Sequence, residues 1–200
     1  KEMLKRVQHD RKGEHMPIPK HVQAYLQKNK VPFDAIEHKI VFTAYDLAAT
    51  LKEKLEGIGK TLLIKSDNGF VLVLLPASRR LDLVKLKKAL GAKKLSIVSE
   101  KEMIAKLKVK AGGLSSFGTL HKAEVFVDSA LLKASKIFVA AGSFTDHIRM
   151  KARDFVKLEN ARTGNISSAV KMPKIAAPKK VTRHKKGKNR KQKSKGKKKK

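Results

Sequence analysis

Apolar residues recur along this chain with two periods, and the switches between them mark out its elements. Structure is expected to begin at Pro17-Ile-Pro19. From Lys20, Val22, Tyr25 and Leu26 share one helical face, and Asn29 can end that helix. Phe33 to His38 reads as a strand. Thr43 is an N-cap candidate with Asp46 at the third position, opening a helix whose apolar stripe is Tyr45, Leu47, Ala48, Leu51 and Leu55. Gly57-Ile-Gly59 is expected to stop it. Lys60–Ser66 and Phe70–Leu75 are β-rich runs around Asp67-Asn-Gly69, the plainest hairpin in the chain. Leu81, Leu83, Val84, Leu86 and Leu90 predict a helix that Gly91 stops, and Lys94 to Val98 a strand. Ser99 with Glu102 is a full capping box for a short helix to about Lys106. Beyond a glycine-rich stretch come a strand at Glu124–Asp128, a short helix at Ser129–Lys133 and a strand at Lys136–Ala140. After the turn at Gly142-Ser143, a strand at His147–Met150 and a helix at Lys151–Leu158 close the series.

Strands and helices are mixed without strict βαβ alternation, and one hairpin is certain. The expected fold class is therefore α/β in the mixed, α+β sense. It is a single domain with a mixed, partly antiparallel sheet flanked by helices, not a doubly wound parallel sheet.

Charge changes the picture at the C-terminal end. The 200 residues carry a net charge of +31, and the last acid is Glu159; from Arg162 to Lys200 there are seventeen Lys and Arg and no Asp or Glu. Pro173 and Pro178 oppose helix, and the Lys/Gly/Ser/Asn/Gln composition from Lys179 cannot bury enough apolar surface to fold. The expected organisation is a flexible lead at 1–16, a folded domain at 17–160 and a disordered basic tail at 161–200. A charge of this size points to a polyanion, because neutralising phosphates releases condensed counterions. Lys179, Lys180, Arg183, Lys185, Lys186, Lys188, Arg190 and Lys191 are the expected contacts with it, which the resemblance given below makes an RNA. A membrane surface fits poorly, since the tail has no Trp, Tyr, Phe or Leu to bury. No apolar run approaches the length of a membrane span. The N-terminus lacks an apolar signal region, which predicts a cytoplasmic protein.

Candidate chemistry is sparse. The chain has no Cys, so disulfides, thiolate catalysis and Cys-type zinc sites are excluded. None of the seven His has an i, i+4 partner beside an acid, and neither metal nor cofactor is expected. Gly57-Ile-Gly-Lys-Thr61 ends like a P-loop, but the required first glycine falls at Lys54 and the Lys-Thr pair opens a strand. A Gly-x-Ser-x-Gly elbow is absent. What remains is Lys110 to Gly118, with three glycines and two serines in nine residues. Such a loop between regular elements can present bare N–H groups to an anionic or carbonyl oxygen.

Several segments in fixed order carry a resemblance. Gly59-Lys-Thr-Leu-Leu63, Val73-Leu-Leu-Pro-Ala77, Leu81-Asp-Leu83, Ala89-Leu-Gly-Ala-Lys-Lys94, Gly112-Gly-Leu-Ser115 with Phe117-Gly118, and Val125-Phe-Val-Asp128 resemble the YbaK and prolyl-tRNA-synthetase-associated editing domains. The resemblance runs from about Pro17 to Glu159. It implies a deacylase that removes a small wrongly attached amino acid, alanine or cysteine, from proline tRNA, using water or the substrate's own 2′-OH. It assigns Lys60, Gly112, Gly113 and Ser115 to catalysis, with Lys60 holding the terminal phosphate or ribose. His38, Thr43, Ser116, Gly142, Ser143 and His147 are assigned to substrate binding. Ser116 stands where the family has proline, which would hold φ near −65° and stiffen the loop.

The implied partner is the 3′ end of a proline-type tRNA, with the ribosome or another RNA reached through the tail and no membrane. An alternative is an editing fold that has lost turnover and binds transfer or ribosomal RNA. A DNA-compacting protein would leave the folded body unexplained.

Overall fold

The computed structural model of this protein describes residues 6–7, 18–109 and 113–170. The hairpin forms as expected, β3 (Gly59–Ser66) pairing antiparallel with β4 (Gly69–Pro76) from Gly59 opposite Pro76 to Ser66 opposite Gly69. β4 is buried from Val71 to Pro76 because it is a central strand covered on both faces, which explains its unbroken apolar run. β7 (Glu124–Asp128) runs parallel to it on the far side, β6 (Leu95–Ile97) pairs antiparallel with β3, and β10 (Arg162–Gly164) runs parallel to β7. The resulting sheet has the order β10-β7-β4-β3-β6.

A second, antiparallel sheet has the order β1-β2-β9-β8, from Arg6–Val7, Asp34–Glu37, Asp146–Lys151 and Lys136–Ala140. The mixed α/β class is as expected, but the strands divide into three sheets; the third pairs β5 (Arg79–Leu81) with β11 (Ser167–Ala169).

Alternation along β4 sets the cores. Leu72 and Leu74 face the antiparallel sheet, where they meet Val139 and Ile148 together with Val22 and Leu26 of α1 (Lys20–Lys28) and Phe155 of α5 (Ala152–Leu158). Val71, Val73 and Leu75 face the other way, under Leu86 of α3 (Leu83–Leu90) and Ile166. A smaller cluster packs Leu47, Ala48 and Leu51 of α2 (Ala44–Leu51) on Ile36, Ile58 and Phe138. α4 (Glu100–Leu107) is capped by Ser99, whose hydroxyl accepts the Glu102 amide as the capping box requires.

Three expectations are corrected. α2 ends at Lys52 in a left-handed conformation, before Gly57, so Leu55 packs from outside the helix. Arg6–Val7 is a strand on β2 rather than part of a flexible lead. Regular structure also continues past 160, in β10 and β11: Asp128, fully buried, accepts the amides of Ala130 at 2.7 Å and Ile166 at 3.0 Å and so fastens residues 162–169 to the end of β7. Residues 171–200, which include the expected RNA contacts, lie outside the described residues.

Candidate active site

The start of β3 and the end of β8 come together where the two larger sheets meet. Phe138 donates its amide to Gly57 O, and a Cβ on Gly59 would stand 3.1 Å from Phe138 O, so glycine permits this approach. Above the junction lies a cleft of about 160 Å³, bounded by Gly59 and Thr61 of β3, Ala140 at the end of β8, Leu114, the 141–145 turn and the N-terminus of α2. Two wider grooves, of about 690 and 680 Å³, lie elsewhere on the domain. The smaller cleft is the better candidate because polar groups from distant parts of the chain converge on it.

The glycine-rich stretch passes beside this cleft. Gly142 has φ +97°, and a Cβ there would be 3.3 Å from Ser115 Cβ and 3.6 Å from Gly113 O, so only glycine lets the turn lie against the 113–115 segment. Ser116, where the resemblance expects proline, is buried. Its amide donates to Ala140 O at 3.0 Å, its hydroxyl accepts the Ala140 amide at 3.0 Å, and it shares a 2.7 Å hydrogen bond with Thr61 Oγ1. Proline could make none of these; hydrogen bonds hold here what a ring would hold elsewhere.

The expected site residues divide into three groups. Thr43, Ser143 and His147 line the cleft. Gly113, Ser116 and Gly142 lie behind the lining, Ser116 bonded to Thr61 and Ala140 and Gly142 packed against the 113–115 segment, and His38 stands behind His147, its Nε2 2.8 Å from His147 Nδ1. Lys60 and Ser115 are placed otherwise than expected. Side chains alternate along a strand, so with Gly59 and Thr61 on the cleft, Lys60 emerges on the other face of β3 and donates to Arg79 O at 2.9 Å. Burial, and then the nearby Arg80 charge, lower its pKa. Ser115 is 1% exposed and its hydroxyl is 2.8 Å from His121 Nε2. That is nucleophile-to-base spacing, but the serine does not line the cleft. Burial, then the His21 charge, lower the His121 pKa. Gly112 lies outside the described residues.

Thr61, Phe42 and Phe144 were not singled out from the sequence. Thr61 follows from strand parity once Gly59 is known to face the cleft. The two rings form the mouth, with centroids 6.3 Å apart, and Phe42 is 83% exposed. The histidines meet because Ile36 pairs with His147 across β2 and β9, a register that brings together residues 109 apart. Among the described residues no group of three or more metal-ligating side chains is present, and no helix is long and apolar enough to cross a membrane.

A mixed α/β domain with a small, largely apolar cleft that carries three hydroxyls and an imidazole, beside a glycine-rich segment, can hold a compact ligand with a few polar groups. Residues 38–158 match the aminoacyl-tRNA editing domain, and the chain belongs to that family. It is 28% identical over 157 residues to the prolyl-tRNA editing protein ProX of Acetoanaerobium sticklandii, covering 76% of this chain and 95% of ProX. It is 26% identical over 149 residues to EbsC of Enterococcus faecalis, described as a candidate Cys-tRNA(Pro)/Cys-tRNA(Cys) deacylase, covering 72% and 90% of the two chains. A crystal structure described as a candidate trans-editing enzyme for prolyl tRNA synthetase superposes with a TM-score of 0.68 at 21% identity, covering 78% of this chain and all of that one.

Proposed function

We propose that this protein is a trans-acting deacylase that hydrolyses the ester between a small amino acid, alanine or cysteine, and the 3′-terminal ribose of a proline-type tRNA. The observation that carries the reading is the size and lining of the cleft. About 160 Å³ accommodates a compact aminoacyl head and opposes a bulky one. Membership of the editing family supports the reaction class, and the names of ProX and EbsC support the tRNA.

In this reading the ester carbonyl lies against Thr61 and the 113–115 segment. Water, oriented by the ribose 2′-OH, adds to the carbonyl carbon; the bond to the ribose 3′ oxygen then breaks, that oxygen takes up the proton the water gives up, and the free amino acid leaves. Thr61 Oγ1, steadied by Ser116, and amides of the segment supply hydrogen bonds to the tetrahedral oxyanion; one such donor contributes about 3 kcal/mol. Phe42 and Phe144 offer faces on which the unpaired terminal bases stack. Lys60 pairs with no carboxylate among the described residues and lies beside Arg80, so it suits a flanking phosphate better than the reacting carbonyl. The basic tail from Lys179 to Lys191 adds sequence-independent affinity for RNA.

The test is a deacylation panel of alanine, cysteine, serine and proline esters of proline tRNA, with the full chain and with the chain truncated after Val170. Release of alanine or cysteine, reduced about 100- to 1,000-fold by Thr61→Val, is expected. No release of any of the four would end the deacylase reading. A second reading, an editing fold that only binds RNA, is favoured by one observation: the ammonium of Lys60 is engaged with Arg79 O on the far face of β3. Inactivity on the panel together with salt-sensitive tRNA binding would select it.

A further inference from the structure

An aminoacyl ester carries an α-ammonium beside its carbonyl, and any pocket that holds the ester must give those N–H groups an acceptor or leave them in water. Among the described residues no carboxylate lines the cleft, and its polar side chains are Thr43, Thr61, Ser143 and His147. Thr43 Oγ1 accepts the Asp46 amide and donates to Asp46 Oδ2 at 2.7 Å. Ser143 Oγ accepts the Thr145 amide and donates to Asp146 Oδ2. Thr61 Oγ1 is joined to Ser116 Oγ. Each hydroxyl is thus already engaged, whereas His147 brings a ring nitrogen to the cleft, and its state is fixed from behind.

Lys39 O is only an acceptor, and His38 Nδ1 lies 2.8 Å from it, so Nδ1 of His38 carries the proton. In the neutral form of that imidazole Nε2 is a lone pair, and it lies 2.8 Å from His147 Nδ1. His147 must therefore be the donor at Nδ1. Its own Nε2 is left as a bare lone pair, with no partner among the described residues. A carbonyl at one end of a two-ring chain thus sets the tautomer at the other.

We propose that His147 Nε2 is the acceptor for the α-ammonium of the aminoacyl group, and that His38 is the positioning residue that holds it in that tautomer. The proposal rests on the deacylase reading and adds a requirement to it: the substrate must bear a free α-amino group. Burial, then the neighbouring His38, hold the His147 pKa down at about 3, so the ring stays neutral and able to accept at ordinary pH. A hydrogen bond from an ammonium is the stronger, charge-assisted kind, and its loss is expected to cost about 10- to 100-fold.

Two measurements on the full chain test this. Long-range ¹H–¹⁵N correlation of the imidazoles at pH 7.5 is expected to show His147 protonated at Nδ1, and alanine methyl ester is expected to shift its Nε2 resonance while N-acetylalanine methyl ester leaves it in place. His38→Gln, whose amide oxygen can still accept from Nδ1–H, should keep the tautomer; His38→Leu should lose it. In the second measurement, alanyl-tRNA is expected to be deacylated about 10- to 100-fold faster than N-acetylalanyl-tRNA, chiefly through KM, and His147→Phe should abolish that preference. A proton on His147 Nε2, or equal response to the two methyl esters, would overturn the proposal whether or not the protein is a deacylase. Equal hydrolysis of the two tRNA esters would overturn it while leaving the deacylase reading intact. Inactivity on both, with the tautomer and the ester shift as expected, would overturn the deacylase reading alone.

Discussion

The buried histidine pair ties folding stability to pH, and His147 sets the size of the effect. Its pKa is about 3 in the folded chain against 6.5 for the free side chain, through burial first and the His38 neighbour second. At pH 8 both folded and unfolded chains have it neutral, and it contributes no pH dependence. Below pH 6.5 the unfolded chain takes up a proton that the folded chain refuses until about pH 3, so stability falls with acidification across that window. Between pH 8 and pH 5 the loss from this residue is about 2 kcal/mol. Urea unfolding followed by circular dichroism at pH 8, 7, 6 and 5 measures it, with His147→Asn as the reference because an amide can still donate to His38 Nε2. His121, whose pKa is also lowered, is present in both chains, so its contribution cancels in the difference. The wild-type chain should lose about 2 kcal/mol more than His147→Asn over this range. Equal pH slopes for the two would refute the claim that His147 is kept neutral in the fold.

Three further outcomes are expected. Gly118→Ala should lower stability by about 2–3 kcal/mol, read as a fall in Tm of roughly 4–12 °C, because the new Cβ would lie 2.4 Å from Val125 Cγ2 and 2.5 Å from the backbone oxygen of Ala123. Asp128→Asn should cost about 1–3 kcal/mol by urea midpoint and expose residues 162–170 to proteolysis, since an amide can satisfy only one of the two N–H groups that the carboxylate accepts. Lys60→Ala should raise KM and weaken its salt dependence with little change in kcat, because its ammonium lies on the face of β3 away from the cleft; a dominant kcat effect would contradict that placement.

The parts of the fold that were legible in the sequence are those whose signals are local. Thr43 and Ser99 cap their helices through the hydroxyl-to-amide bonds their spacing implies, and Asn-Gly marks the hairpin. The segments that escaped are short and polar: Arg79–Leu81, Arg162–Gly164 and Ser167–Ala169 are strands only because distant partners supply their hydrogen bonds. The basic composition after Glu159 pointed to a tail from residue 161, yet the carboxylate of Asp128 holds the chain to the sheet as far as Ile166. The site divides along the same line. Thr43, Ser143, His147 and the glycines could be nominated singly, whereas the pairing of His38 with His147 is a consequence of strand register and has no local sign.

Strand parity decides which chemistry the first residues of β3 can take part in. A one-residue step along a strand moves a side chain to the opposite face. Gly59 has no side chain to offer, and Lys60 points away, so the group that β3 gives the cleft is the hydroxyl of Thr61. That hydroxyl would be a loose donor by itself. It is instead joined to Ser116, which is held in turn by both the amide and the carbonyl of Ala140. The serine at position 116, where the resemblance expects proline, therefore bears directly on the cleft: it is a hydrogen-bonded brace that reaches the lining, which a proline ring, restricting only its own φ, could not be.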